Sequence, residues 1–278
     1  MSISNKIADL PPLREIVNQH GLHANKAFGQ NYLFDLNLTG KIARIAGDLS
    51  GHTVFEIGPG PGGLTRALLM ETNAPQIIAI EKDPRFIEAL QPLIDVSDNR
   101  LKLIEGDALK TELRDLAPAP RAVIANLPYN VGTELLISWL HTPNEYAQFI
   151  LMFQREVAER IVAKKNTKAY GRLAVLAQNL CVADIVLNVP PSAFTPPPKV
   201  TSSVIRLRPK PEAHLVPIKE LEKITAAAFG QRRKMLRQSM KSYLPVLEEL
   251  NIDSQLRPED LDVTDFLKIA LKISKTSL

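Results

Sequence analysis

Four short apolar runs in the first half of the chain, each bounded by segments of different character, constrain the fold more than any other feature. Apolar runs of this length indicate strands buried on both faces, the pattern of a parallel sheet. Between them, LTRALLM and PRFIEALQPLI carry apolar residues at helical spacing. The alternation predicts an α/β fold with a mostly parallel, doubly wound sheet. The runs are TVFEIG (53–58), QIIAIE (76–81), LKLIEGD (101–107) and RAVIANLP (121–128).

The second half of the chain predicts a change of architecture near residue 209. Helical patterns at 133–140 and 145–163 are followed by strand candidates DIVLNV and SSVIRLRP. The segment PKPEAHLVP is then a proline-marked junction. After it, PIKELEKITAAAFG, QRRKMLRQSMKSYL and VTDFLKIALKI all have helical periodicity. We therefore predict a sheet-based domain over 1–208, with its segment 1–40 lining the site, and a small all-helical domain over 209–278.

Composition narrows the class of protein. A hydrophobic share of 45% and a mean hydropathy of −0.04 are ordinary for a soluble globular chain of 278 residues. No run approaches the roughly 18 apolar residues of a membrane span, and the N-terminus does not resemble a secretory signal. The single cysteine, Cys181, excludes an internal disulfide framework and a cysteine-rich zinc site. We expect a cytoplasmic protein without a membrane partner.

Positive charge is concentrated in one stretch. Residues 1–198 contain 19 Lys and Arg against 20 Asp and Glu, and residues 242–278 contain 4 against 7. Residues 199–241, by contrast, contain 11 Lys and Arg against only 3 Asp and Glu. A localised basic patch on a nearly neutral body is typical of a protein that binds a polyanion, although a solvated helix face gives the same pattern.

A glycine-rich turn, EIGPGPGGLT (56–65), follows the first strand and precedes a helix. Its glycines allow a tight turn and a close approach to a ligand. Enzymes that bind dinucleotides use a similar turn, so a nicotinamide dehydrogenase is one alternative. The spacing of Gly58 and Gly60, and the position of Glu56 inside the strand, favour S-adenosylmethionine.

Two acidic residues at strand ends are candidates for the nucleoside part of that cofactor. Glu81 ends the second strand, about twenty residues after the glycines, where an acid binds ribose hydroxyls. Asp107 ends another strand and is a candidate acceptor for an adenine amino group, or alternatively a helix N-cap. Lys82 and Ala108, which follow the two acids, and Asn126 at the end of the fourth run complete the predicted cofactor-binding set.

The segment Asn126-Leu127-Pro128-Tyr129 predicts the chemistry. Methylation of an adenine amine requires a more nucleophilic nitrogen that is aimed at a methyl group. The side-chain oxygen of Asn126 and the carbonyl of Leu127 can accept both amine hydrogens and orient the nitrogen. Pro128 stiffens the turn, and Tyr129 offers a flat face to an unstacked base. The amine loses its proton to water, so no general base is required. The five histidines have no ligand spacing, and we predict no metal site.

Taken together, these motifs resemble the ribosomal RNA adenine dimethyltransferases that act on small-subunit 16S rRNA. The chain is similar to that family through most of its length, although the family usually has Phe where Tyr32 stands. The resemblance implies a class I, Rossmann-like methyltransferase fold. The other matching segments are KAFGQNYL (26–33), QREVAER (154–160), FTPPPKV (194–200) and FGQRRK (229–234).

The resemblance also implies residue roles and a substrate. Gln30, Asn31 and Leu33 would border the methionine end of the cofactor, and Phe194 would stack on the target base opposite Tyr129. The substrate would be two adjacent adenosines in a hairpin near the 3′ end of 16S rRNA in an immature 30S subunit, each methylated twice by a monomeric enzyme. The candidate phosphate contacts are Lys199, Arg206, Arg208, Arg232, Arg233, Lys234 and Arg237.

Two alternatives to this substrate and role remain open from the sequence. One is a resistance-type methyltransferase that modifies one adenosine of 23S rRNA. The proline-rich motif FTPPPKV (194–200) and the basic signature at 232–234 favour small-subunit rRNA as the substrate over 23S rRNA. The other is a ribosome-assembly factor whose binding role outweighs catalysis.

Overall fold

The computed structural model describes residues 2–22, 30–231 and 233–276. A strand lies at each of the six predicted strand segments, and the runs at 76–81 and 202–209 match strands end to end. The strands are β1 (Tyr32–Leu33), β2 (Thr53–Ile57), β3 (Gln76–Glu81), β4 (Leu101–Glu105), β5 (Arg121–Asn126), β6 (Tyr146–Gln154), β7 (Cys181–Val189), β8 (Phe194–Thr195) and β9 (Ser202–Pro209).

The helices between the strands are mostly short. The predicted helix PRFIEALQPLI is divided in two at Leu90, just before Pro92. The helices are α1 (Ile3–Ala8), α2 (Leu13–Gln19), α3 (Leu36–Arg44), α4 (Gly63–Glu71), α5 (Pro84–Ala89), α6 (Gln91–Asp95), α7 (Gly132–Leu140), α8 (Arg155–Ile161), α9 (Arg172–Leu180), α10 (Ile218–Gly230), α11 (Leu236–Ser239), α12 (Leu244–Glu249) and α13 (Val263–Thr276).

Seven of the described strands form one sheet in the order β4-β3-β2-β5-β6-β9-β7. The pairs from β4 to β6 are parallel, and β9 runs antiparallel to β6. The chain builds outward from β2 to β3 and β4, and then returns to place β5 on the other side of β2. The predicted α/β class with a mostly parallel sheet is thus confirmed, and the strand order reverses between β2 and β5.

The prediction of a helix over 145–163 is wrong for most of that range. Residues Tyr146–Gln154 form strand β6, and only Arg155–Ile161 are helical. The sequence YAQFILMFQ is buried along most of its length between β5 and β9. A run that is apolar on all sides fits a buried strand and a buried helix equally well, so periodicity could not separate the two.

The chain divides into two compact units. The first contains the described residues of Met1–Leu136, Glu145–Arg155 and Ile185–Leu207. The second contains those of Ile137–Asn144, Glu156–Asp184 and Arg208–Leu278. This division differs from the predicted 1–208 and 209–278, because helices that precede residue 208 belong to the second unit.

The core of the second unit explains that difference. Helix α9 packs against α10 and α13. Leu221, Ile224 and Ala228 are buried along α10 at helical spacing, and Phe266 and Ile269 of α13 share the same core. Three helices distant in sequence therefore bury one apolar centre.

The predicted helix over QRRKMLRQSMKSYL is much shorter than expected. In the described part of this segment, Leu236–Ser239 forms a short α-helix, a 3-10 turn follows at Lys241–Tyr243, and the last residue, Leu244, begins α12. Cys181 is a free cysteine whose side chain is buried. In the part of the chain that the structure describes, no helix combines the length and the apolar character that a membrane span needs.

Candidate active site

A cleft of about 500 Å³ opens at the carboxyl ends of β2, β3, β4 and β5. In sheets of this kind ligands bind where the strand order reverses, here between β2 and β5. All residues that line the cleft belong to the first unit. Those among them that the sequence analysis selected are Gln30, Asn31, Leu33, Glu56, Gly58, Gly60, Glu81, Lys82, Asp107, Ala108, Asn126, Leu127, Pro128 and Tyr129.

The turn after β2 depends on residues without a side chain. Gly60 has a φ of +53°, in the left-handed region that favours glycine, and its N–H donates to Glu81 Oε2 at 3.2 Å. A Cβ on Gly63 would lie only 2.3 Å from the carbonyl oxygen of Leu33. The turn is therefore fixed on two sides, by the acid of β3 and by the backbone of β1.

Glu81 is held at the end of β3 by main-chain donors. Its Oε1 accepts from the N–H groups of Lys82 at 2.8 Å and Asp83 at 3.0 Å, in addition to the bond from Gly60. The residue is only 8% exposed, and burial raises its pKa, opposed by these main-chain bonds. The side chain is thereby fixed in orientation beside the glycine turn.

Asp107 pairs with a residue that the sequence analysis also selected. Lys82 Nζ donates to Asp107 Oδ2 at 2.8 Å, and the N–H of Leu109 donates to Oδ1 at 3.1 Å. The Lys82 ammonium is the main cause that lowers the pKa of Asp107. The bond from Leu109 belongs to a turn, and no helix begins there among the described residues, so the N-cap interpretation is not supported.

Glu56 lies beneath the glycine turn with almost no contact with solvent. It is 1% exposed, and within the described structure its Oε2 has no hydrogen-bond partner. Burial raises its pKa to about 8. A carboxyl group is therefore kept neutral over much of the physiological pH range at the floor of the cleft.

Asn126 ends β5 with its amide oriented by the N-terminal segment. Asn126 Nδ2 donates to the carbonyl oxygen of Asn31 at 3.4 Å. This contact leaves Oδ1 as the acceptor on the other side of the amide. The end of β5 thus presents a side-chain acceptor in the cleft next to the backbone of Leu127.

The turn that follows Asn126 is compact. The N–H groups of Val131 and Gly132 donate to the carbonyl oxygen of Pro128 at 3.2 and 3.1 Å. The side chain of Leu127 is 2% exposed and anchors the turn in the core. The carbonyl of Pro128 is therefore engaged within the turn.

Tyr129 is half-buried at the cleft, and its hydroxyl has a hydrogen-bond partner that the sequence did not indicate. Its hydroxyl lies 2.6 Å from Ser202 Oγ. Burial raises the pKa of Tyr129, so the phenol is neutral at physiological pH. Tyr129 lines the cleft, and its role as a platform for a base stays a prediction.

Phe194 does not lie in the cleft, contrary to its predicted role opposite Tyr129. Its side chain is 3% exposed and packs in the main apolar core. It is paired with Leu33 because β8 runs antiparallel to β1. In this structure the ring has no face available to a base.

The predicted phosphate contacts are distributed between the two units. Lys199 and Arg206 belong to the first unit, where Lys199 is exposed and Arg206 is half-buried. Arg232 and the segment 26–29 of the N-terminal motif lie outside the described residues. The remaining candidates belong to the second unit, and all are exposed: Arg208, Arg233, Lys234 and Arg237.

Several residues that line the cleft were not among the site residues predicted from the sequence. Tyr32 and Phe86 both line the cleft, and their rings meet edge to face with centroids 5.9 Å apart. The hydroxyl of Tyr32 donates to Gln30 Oε1 at 3.1 Å. Leu109 and Asn130 also line it. Tyr32 lies in the KAFGQNYL segment between the selected Asn31 and Leu33. Phe86, Leu109 and Asn130 follow selected residues by a few positions, but no local pattern separates them from ordinary core or turn residues.

Comparison with known proteins gives the family of the chain. The family profile for ribosomal RNA adenine dimethylase matches residues 21–275. A protein of Azorhizobium caulinodans named ribosomal RNA small subunit methyltransferase A is 56% identical over 95% of this chain and 93% of its own length. The protein of the same name from Mesorhizobium japonicum is 53% identical over 95% of this chain and 98% of its own length.

Solved structures agree with this relationship. A dimethyladenosine transferase from Plasmodium falciparum has a TM-score of 0.78 and 30% identity, covering 88% of this chain and 98% of that one. The 23S rRNA methyltransferase ErmE has a TM-score of 0.67 and 24% identity, covering 88% and 100%, and shares the fold. The expected methyltransferase fold and the expected enzyme class are thereby confirmed. The chain belongs to the ribosomal RNA adenine dimethylase family.

Proposed function

We propose that this chain transfers methyl groups from S-adenosylmethionine to the exocyclic N6 of two adjacent adenosines in a hairpin near the 3′ end of 16S rRNA. Each adenosine receives two methyl groups, and the enzyme acts as a cytoplasmic monomer on an immature 30S subunit. The observation that carries the proposal is the convergence of Asn126, Leu127 and Tyr129 with Glu81 and the glycine turn in one cleft.

The lining of the cleft fits the proposed cofactor. Glu81, fixed by three main-chain N–H groups, can accept hydrogen bonds from ribose hydroxyls. Asp107, with Ala108 beside it, can accept from an adenine amine, and Gly60 lets the backbone approach the ligand closely. When bound, S-adenosylmethionine would supply a methyl group on a positively charged sulfur, and S-adenosylhomocysteine would leave as the neutral sulfide product.

The chain's own residues then have separate tasks. Asn126 Oδ1 and the carbonyl of Leu127 accept the two hydrogens of the amine before the first transfer and its one remaining hydrogen before the second, which orients the lone pair and favours a tetrahedral nitrogen. Tyr129 supports the unstacked base on one face. The methylated amine loses its proton to water, and the proposed chemistry assigns no step to a metal ion.

The names of the relatives support a small-subunit substrate. The relatives at 53–56% identity named above carry the small-subunit name, whereas the 23S rRNA methyltransferase ErmE is 24% identical. RNA hairpins suit such an enzyme because their bases can be splayed out and stacked on aromatic rings.

Methyl transfer to defined RNA substrates tests the proposal. Tritiated S-adenosylmethionine is supplied with unmethylated 30S subunits or with protein-free 23S rRNA, and the labelled nucleotides are mapped. We expect label on two adjacent adenosines of 16S rRNA as dimethyladenosine. Label confined to 23S rRNA would favour the resistance-type activity, and no label on either RNA would exclude the proposal.

Asn126→Ala separates an enzyme from an assembly factor. We expect kcat to fall by about 100-fold or more, as when one preorganised hydrogen-bonding group is removed from an active site. The affinity for S-adenosylmethionine, measured by calorimetry, should change little. The exposed Asn37 provides the matched control, Asn37→Ala. An Asn126→Ala protein that methylates like Asn37→Ala would contradict the proposed role.

A further inference from the structure

A buried serine two strands away from Asn126 holds the hydroxyl of Tyr129. The Tyr129 hydroxyl and Ser202 Oγ are 2.6 Å apart, within the range of a strong hydroxyl–hydroxyl hydrogen bond. Ser202 begins β9 and is 0% exposed, so its hydroxyl is shielded from solvent on the side of the sheet. Both residues belong to the first unit.

The sheet fixes Ser202 relative to the end of β5. Asn126 is paired with Met152 on the parallel strand β6, and Met152 is paired with Val204 on β9. Ser202 lies two residues before Val204, on the same face of the strand. A ladder of three strands therefore connects Asn126 rigidly to the partner of Tyr129.

The turn between Asn126 and Tyr129 is fixed at its other end as well. A Cβ on Gly132 would lie 3.0 Å from the ring of Phe153 on β6, which shows how closely the turn packs on the sheet. The backbone of the turn is thereby held in place against strand β6. The remaining freedom of Tyr129 is rotation of its side chain, and a bond at the far end of the ring removes it.

We infer that Ser202 is a positioning residue, which holds the Tyr129 ring at the angle at which the flipped adenine stacks beside Asn126. This inference rests on the proposed function and assigns a role to a residue outside the cleft lining. The adjacent Ser203 has a different partner: its Oγ donates to Asn188 Oδ1 at 2.7 Å. Because side chains alternate along a strand, Ser203 faces away from Tyr129.

The experiment compares four variants in methyl transfer to unmethylated 30S subunits: Ser202→Ala, Tyr129→Phe, the double variant and Ser203→Ala. Ser203 is the matched control, since it is also a buried serine of β9 with one side-chain hydrogen bond. Tyr129→Phe removes the same bond from the other side and keeps the ring. It therefore tests the inference even if Ser202→Ala fails to fold.

We expect Ser202→Ala and Tyr129→Phe each to lower kcat by about 10-fold, because the base is less well oriented for attack. The double variant should be no slower than either single variant, since both remove one interaction. KM for the subunit and the affinity for S-adenosylmethionine should remain close to those of the wild type. Ser203→Ala should retain the wild-type kcat.

Other outcomes overturn the inference in distinguishable ways. If the losses in the double variant multiply, the two hydroxyls act independently. If Ser202→Ala folds and matches Ser203→Ala, or if Tyr129→Phe retains the wild-type kcat, Ser202 has no positioning role. If the wild type and Ser203→Ala both fail to methylate 30S subunits, the proposed function itself is wrong and the inference falls with it.

Discussion

Tyr32 is the one position of the N-terminal motif where this chain departs from the family pattern, and the departure has a structural consequence. The added hydroxyl donates to Gln30 Oε1, so a residue expected at the methionine end of the cofactor is oriented by its neighbour. We expect Tyr32→Phe to weaken the affinity for S-adenosylmethionine by about 5-fold, the value of one net hydrogen bond. Calorimetric titration measures it, and an unchanged affinity would contradict an orienting role for the hydroxyl.

Glu56 predicts a pH dependence of stability. Its folded pKa of about 8 lies above the ordinary value of 4.5, so the folded state binds the proton more tightly than the unfolded chain. The protonated Glu56 therefore contributes its full share to the free energy of unfolding at low pH. That share is lost as the pH rises from 4.5 to about 8, because the unfolded chain releases the proton first. The loss is about 1.4 kcal/mol for each unit of pKa difference.

Glu56→Gln keeps the shape of the side chain and cannot ionise. We expect the free energy of unfolding of this variant, relative to the wild type, to increase as the pH rises from about 5 to about 8 in cofactor-free protein. Denaturant unfolding at several pH values measures the difference. The exposed Glu88 provides the control, Glu88→Gln, whose difference from the wild type should stay flat. A flat difference for Glu56→Gln as well would exclude a neutral buried carboxyl.

At the scale of residues, the sequence identified those groups whose position follows from strand ends alone. Glu81, Asp107 and Asn126 each end or follow a parallel strand, and parallel strands bring their carboxyl ends to one edge. The role of Phe194 and the partner of Tyr129 depend instead on how β8 and β9 return to β1 and β6. These pairings join residues far apart in the chain, so no local pattern could reveal them.

At the scale of elements, the start of helix α4 is built against the N-terminal strand β1. Gly63, the first residue of α4, leaves no room for a side chain beside the carbonyl of Leu33. We expect Gly63→Ala to lower the free energy of unfolding by about 2–3 kcal/mol, since backbone must shift to admit the methyl group. Cofactor affinity should fall too, because Leu33 and Gly60 line the cleft.

Gly51 supplies the comparison for Gly63. A Cβ there would have no described atom within 4 Å, and its φ lies outside the left-handed region. Gly51→Ala should therefore change the free energy of unfolding by no more than about 0.5 kcal/mol. Thermal and denaturant unfolding compare the two variants. Equal stabilities would mean that β1 does not restrict the start of α4.

A short apolar run was predictable as a strand where turn residues bound it on both sides. The strands β3 and β9 meet this condition and were predicted to the residue. Strand β6 does not, because YAQFILMFQ is followed directly by a helix and was predicted as part of it. The segment after Gly230 lacks such a boundary too, since its helical spacing continues through residues that form turns.

At the scale of the molecule, the cleft and most of the predicted phosphate contacts lie in different units. The cleft residues all belong to the first unit, whereas Arg208, Arg233, Lys234 and Arg237 belong to the second. The amino-acid composition already indicates this separation of charge, because the basic excess lies in 199–241. It does not indicate the unit boundaries, since the second unit also recruits helices that precede residue 208.

The basic stretch predicts the salt dependence of RNA binding. Each phosphate contact releases counterions, so binding weakens as salt increases, with a slope set by the number of contacts. Replacing Arg233 and Arg237 by Ala should lower the slope of log K against log salt by about two. The charge-matched control replaces Lys41 and Lys102, which are exposed in the first unit outside the basic stretch, and should leave the slope unchanged. Equal slopes for both double variants would mean that the excess charge of 199–241 is an ordinary solvated surface, and that the rRNA contacts of this chain must be sought elsewhere.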